Sequence, residues 1–87
     1  MTIDKTLEQR GNRYGDFVGH AQVTQRLKRA MRSHAKYGEL PNQMQEALEM
    51  IQHKIGRIIN GDPNYKDSWT DIIGYARLIE KDLKDDH

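Results

Sequence analysis

NQMQEALEMIQHKIGRIIN, residues 42–60, repeats its apolar side chains at the spacing of an α-helix. Met44, Ala47, Leu48, Ile51, Ile55, Ile58 and Ile59 fall on one face at 3.6-residue periodicity; Glu46, Glu49, His53, Arg57 and Asn60 fall on the other. Pro41 or Asn42 opens this helix, and Gly61 follows its last residue. Beyond it, GDPN at 61–64 has the chemistry of a tight turn, with proline fixing φ. Asp67 or Ser68 then caps a further helix that frays in the KDLKDDH tail. By the same periodicity that helix buries Trp69, Ile72, Ile73, Ala76, Ile79 and Leu83. Its other side carries Asp67, Asp71, Gly74, Tyr75 and Leu78, where an exposed Tyr and Leu beside a Gly suggest a second contact surface.

Working back toward the N-terminus, the pattern weakens. YGELP at 37–41 ends a helix that starts after a turn, Tyr14-Gly15-Asp16-Phe17, whose Asp serves as the cap. Phe17, His20, Thr24, Leu27, Met31 and His34 form its apolar stripe, which makes His20 and His34 packed or interfacial histidines. Thr2 or Asp4 caps a short leading helix that reaches about Arg10, with Gly11 and Asn12 as its stop. No segment alternates with period two. The expected architecture is all-α, a small helical bundle of three long helices plus a short N-terminal helix, forming one domain over residues 1–87.

Bulk properties limit what such a bundle does. Hydrophobic residues make up 36% of the 87 and charged residues 31%, a combination that leaves one core small and points to a homo-oligomer. There is no cysteine, so disulfides and thiolate metal sites are excluded. No segment approaches the roughly 20 apolar residues of a membrane span, and the N-terminus lacks the apolar run of a signal peptide. The cytoplasm is the expected location, a host's cytoplasm if the chain is phage-encoded. The net charge of +1 is uneven, +4 over residues 1–43 and −3 over residues 44–87. Arg26, Lys28, Arg29, Arg32 and Lys36 form a basic block that reads first as a solvated helix face, and the balance disfavours specific DNA binding.

Two acidic pairs carry the candidate chemistry. Glu46 and Glu49 make an E-x-x-E on the third helix, and Asp67 and Asp71 a D-x-x-x-D on the fourth, so each pair shares one helix face. Four carboxylates converging from antiparallel neighbours would suit Mg²⁺ and leave coordination places for phosphate oxygens and water. Lys54 and Arg57 stand further along the third helix, where they would balance phosphate charge. Tyr65, Lys66 and Tyr75 complete a candidate substrate-binding set, with aromatic faces for a base and a cation for phosphate. The plain alternatives remain. Asp67 is placed as an N-cap, and Glu49, His53 and Arg57 form an i, i+4 ladder typical of surface pairing.

E-x-x-E followed by acidic residues on the next helix resembles the all-α NTP pyrophosphohydrolases, the MazG-like and dimeric dUTPase-like group. That resemblance implies Mg²⁺ held by Glu46, Glu49 and Asp71, and hydrolysis of an α–β phosphate bond with Glu49 and Glu46 as the catalytic pair. The second motif departs from the family pattern, D-x-x-x-D standing where E-x-x-D is usual. The runs RGNRYGDFVGHA and EALEMIQHKIGRIINGDPNYKDSWTDIIGYARL also resemble a small family of phage and prophage proteins, which brings no activity with it. The leading expectation is a nucleotide-recognising protein that hydrolyses a (deoxy)nucleoside triphosphate to monophosphate and pyrophosphate. The alternatives are a phage protein that binds and sequesters a nucleotide second messenger or host metabolite without turnover, or one that docks on a host protein through the basic block.

Overall fold

The computed structural model describes residues 3–85 and contains helices and turns, with no strand among them. α1 spans Ile3–Tyr14, α2 Phe17–Arg32, α3 Asn42–Asn60 and α4 Lys66–Glu80, and a 3-10 turn covers Ala35–Glu39. The all-α expectation holds, and α3 occupies the residues read from its periodicity. Among the described residues no helix is long and apolar enough to cross a membrane.

α3 is the middle rod of an open bundle, with α2 along one side and α4 along the other. Small residues make the close approaches. A Cβ on Gly56 of α3 would lie 2.8 Å from the Thr24 methyl and 2.9 Å from His20 Nδ1 on α2, so only glycine admits this crossing. Ser68 of α4 and Ala47 of α3 are both buried. Between these small residues the seams are polar. Lys54, its side chain only 9% exposed, pairs with Asp71 at 3.0 Å across α3 and α4. Gln52 is buried with neither amide atom hydrogen-bonded among the described residues.

This seam corrects the expectation for α4. Trp69, Ile73, Ala76 and Leu83 are exposed and not buried, Trp69 at 51% and Ile73 at 69%, although Ala76 and Leu83 still border α3 across an open groove. Ser68, Asp71, Ile72, Tyr75 and Ile79 turn inward in their place. The lysine explains the rotation. Once the Lys54 stem is buried, its ammonium requires a carboxylate, and Asp71 supplies one only when α4 turns the strip of Ser68, Asp71, Ile72, Tyr75 and Ile79 toward α3.

The ends of the helices follow local chemistry, and three differ from the reading above. α1 runs through Gly11 and Asn12, because the left-handed residue is Gly15 at φ 76°, whose N–H still donates to the Gly11 carbonyl at 2.8 Å. Of its two candidate caps, Thr2 lies outside the described residues. Asp16 caps α2 as expected, accepting from the Gly19 N–H at 3.1 Å. α2 stops at Arg32, four residues early. There the Ser33 hydroxyl donates to the Ala30 carbonyl, and His34 Nδ1 accepts from the Lys36 N–H, so side chains take up the backbone groups that another helical turn would use. His34 is therefore an exposed turn residue and not a packed one. α4 starts at Lys66, ahead of both proposed caps, with no side-chain cap of its own.

Candidate functional site

The four carboxylates expected to share a cation lie in separate arrangements. Glu49 accepts from the Tyr37 hydroxyl at 2.5 Å and from Arg32 at 3.1 Å, and the tyrosine bond holds its carboxyl below the usual range. Asp71 pairs with Lys54. Asp67 accepts from the Tyr65 hydroxyl at 3.0 Å, which pushes that phenol up. Glu46 is exposed. Among the described residues no three His, Asp or Glu side chains group closely enough to hold a metal ion. Lys54 is likewise committed to its buried pair, Lys66 is exposed, and Tyr75 is half-buried in the α4 strip facing α3.

Arg57 and Tyr65 have a different setting, built where two turns meet. Asn60, the last residue of α3, reaches back across the fold and donates from Nδ2 to the Tyr14 carbonyl at 3.0 Å and the Asp16 carbonyl at 2.8 Å. The Asp62 N–H donates to the Arg13 carbonyl at 2.7 Å. Gly15 presents no Cβ at this contact, where one would collide with the Asn60 backbone and side chain. The turn at 61–64 is closed by Asp62, whose carboxylate accepts from the Asn64 N–H at 2.9 Å. The N-terminal Tyr-Gly-Asp turn is thus clamped to the turn after α3.

The clamp stacks aromatic rings and guanidinium groups. Tyr14 and Tyr65 meet edge to face with centroids 6.1 Å apart. Arg57 lies 4.4 Å from the centre of the Tyr14 ring, and Arg10 lies 5.4 Å from the same ring. Arg13 covers Tyr65 at 5.1 Å. Beside Tyr14 opens a cavity of about 510 Å³, lined by Leu7, Arg10, Tyr14, Phe17, His20 and Arg57 among others. Phe17 stands 80% exposed at its wall.

The electrostatics of this corner are cationic. Neither Arg10 nor Arg57 makes an ion pair among the described residues. The Asp16 carboxylate also lines the cavity and is engaged in capping α2. His20 and His53 face each other with ring centroids 5.6 Å apart. Burial pushes His20 below its ordinary value, and His53, Arg57 and Lys28 push it further. His53 is lowered by burial, by Lys28 and by Arg57, with Glu49 opposing. Both imidazoles are therefore mainly neutral at pH 7 beside uncompensated arginines. An anion entering the cavity would relieve the repulsion between those arginines and meet two guanidinium donors beside a flat aromatic ring.

The sequence reading identified Arg57 and Tyr65, placed the Y-G-D turn, and treated His20 as packed. It missed Arg10, Phe17 and Asn60. The available signal was two Gly-Asp turns, RYGD and NGD: Arg10 and Arg13 stand five and two residues before Gly15, with Tyr14 directly before it, and Arg57 stands four residues before Gly61, with Tyr65 four after it. Comparison of the chain with protein-family models, with curated proteins and with solved structures finds no match.

Proposed function

We infer that this protein binds a phosphate-bearing aromatic metabolite, a nucleotide in chemical class, in the corner cavity between α1, α2 and the end of α3, and holds it without a metal ion. The carrying observation is the pair of arginines, Arg10 and Arg57, against one tyrosine ring with no carboxylate paired to either. The cavity volume falls in the range of small-molecule sites. Tyr14 and Phe17 offer faces for a base, and the arginines offer donors for phosphate oxygens. Recognition without turnover fits this set better than hydrolysis does, because Glu49, Asp67 and Asp71 are each engaged inside the chain and would have to leave those partners to share Mg²⁺.

Calorimetry in EDTA with a nucleoside triphosphate, and separately with inorganic triphosphate, tests the reading. Binding of the nucleotide with the ligand recovered intact supports it. Arg57→Ala and Tyr14→Ala should each weaken binding by about tenfold, the loss of one desolvated cation–aromatic or charge-assisted contact. No binding of either ligand sinks it. Mg²⁺-dependent release of pyrophosphate, abolished by Glu49→Gln, would replace it with the hydrolase reading.

A further inference from the structure

On the side of α3 away from the polar ladder, Leu48, Ile51, Ile55 and Ile59 form a stripe that no helix of the chain covers completely. Ile59 is 66% exposed, and Leu48 is also exposed. Alongside, α4 presents Trp69, Ile73 and Ala76 at i, i+4 and i+7, with Leu83 just beyond its end. An apolar groove of about 330 Å³ runs between the two helices, floored by Ala47 and Ile51 and walled by Ala76, Ile79 and Leu83. Glu80 is the one charged residue in its lining.

The molecule's dimensions argue that this surface is not left in water. The chain exposes 6770 Å², whereas a compact monomer of 10.2 kDa exposes about 5,300 Å² by the usual mass scaling. The excess of about 1,450 Å² is shared between α1, which buries no residue, and the uncovered α3–α4 face, and it is larger than the roughly 800 Å² per partner that a standard specific interface buries. The radius of gyration is 15.2 Å, against about 12 Å for a compact chain of this length. Ala47 is the only buried hydrophobic residue described, so the chain by itself lacks an interior able to offset its conformational entropy.

A partner required for folding itself must accompany every chain in fixed proportion, and a second copy meets that condition by construction. Trp69 and Ile73 project from α4, the helix whose Ala76, Ile79 and Leu83 wall the groove, so one surface supplies both the recess and the ridge that a two-fold interface needs. We propose that the α3–α4 apolar face is the self-association surface of this protein, occupied by the same face of a second copy. The corner cavity lies outside this face, since Ile73, Ala76 and Leu83 are absent from its lining. Ligand binding and association are therefore separable.

The test is the mass of the purified 87-residue chain by light scattering, with melting temperature followed over protein concentration. The expected mass is at least twice 10.2 kDa, and the melting temperature should rise with concentration. Ile73→Glu, at a site exposed in the single chain, should reduce the mass to that of one chain, and Val18→Ser on α2 should leave it unchanged. In case Ile73→Glu fails to fold, single-cysteine variants report on the unperturbed assembly, since the natural chain has none. Ile73→Cys should be alkylated several-fold more slowly than Val18→Cys at high protein concentration and should lose that protection on dilution. A monomeric mass with a concentration-independent melting temperature overturns the proposal, as does equal alkylation of the two cysteines or an unchanged mass in folded Ile73→Glu.

Discussion

Asn60 lies outside the lining of the corner cavity and ties together the two turns beside it. Its amide donates to two carbonyls, those of Tyr14 and Asp16, and thereby sets the distance between the α1–α2 turn and the end of α3. Asn60→Ala removes both bonds and takes the side-chain donor from the part-buried Tyr14 carbonyl, while the more exposed Asp16 carbonyl keeps the His20 N–H, a loss of about 1–3 kcal/mol. Urea unfolding should show that loss, and nucleotide affinity should fall with it, because Arg57 and Tyr14 would no longer be held in register. The histidines give a prediction of opposite signs for stability and binding. His20 and His53 are both lowered in the folded state, so below about pH 6.5 the unfolded chain takes up protons that the folded chain resists. Thermal stability should be full above that pH and decline as pH falls through 6.5 toward the folded values. A bound anion favours protonated His20, so affinity should strengthen over the same descent. Melts of the wild-type protein and of His20→Gln between pH 8 and 5 check the first sign, and calorimetry across that range checks the second.

At the scale of the helix, the interior seams are polar where a small bundle would ordinarily be apolar. Gln52 holds both amide atoms buried without partners, the costly half of a hydrogen-bonding group. Gln52→Met keeps the volume and removes the polar atoms, and should stabilise the protein by about 1–3 kcal/mol in urea unfolding. Lys54 and Asp71 behave differently, since each answers the other. Asp71→Ala leaves an ammonium buried on α3 and should destabilise by about 1–3 kcal/mol, the carboxylate's half-exposed position limiting the loss. Lys54→Met combined with Asp71→Ala should recover most of that loss. Failure of the double variant to recover would mean that the α4 orientation depends on something other than this pair.

The whole molecule is three helices side by side with α1 resting on one end. α1 has no buried residue, while α3 is packed on both sides. Amide exchange should therefore be fastest in α1 and slowest in α3. Leu7 and Arg10 of α1 line the corner cavity, so a nucleotide bound there should slow exchange in α1 more than in α4. Equal protection of both helices on adding nucleotide would place the ligand elsewhere.

How much of this was legible depended on range. Periodicity and punctuation determined the helix count, the limits of α3, the Asp16 cap and the all-α class, because each rests on neighbours within a few residues. The stop of α1 was misplaced by four residues because RGNRYG contains two glycines, and only the fold selects which one turns left-handed. The acidic pairs were legible as pairs and not as a cluster. Helical spacing relates side chains to one another around one axis, but it does not say which neighbour that axis turns them toward. In the packed fold Asp71 pairs with the buried Lys54 while Trp69 and Ile73 face outward, a rotation of α4 that its own periodicity does not specify. The cavity depends on Asn60 meeting a turn 46 residues earlier, a contact whose geometry exists only once the rods are packed.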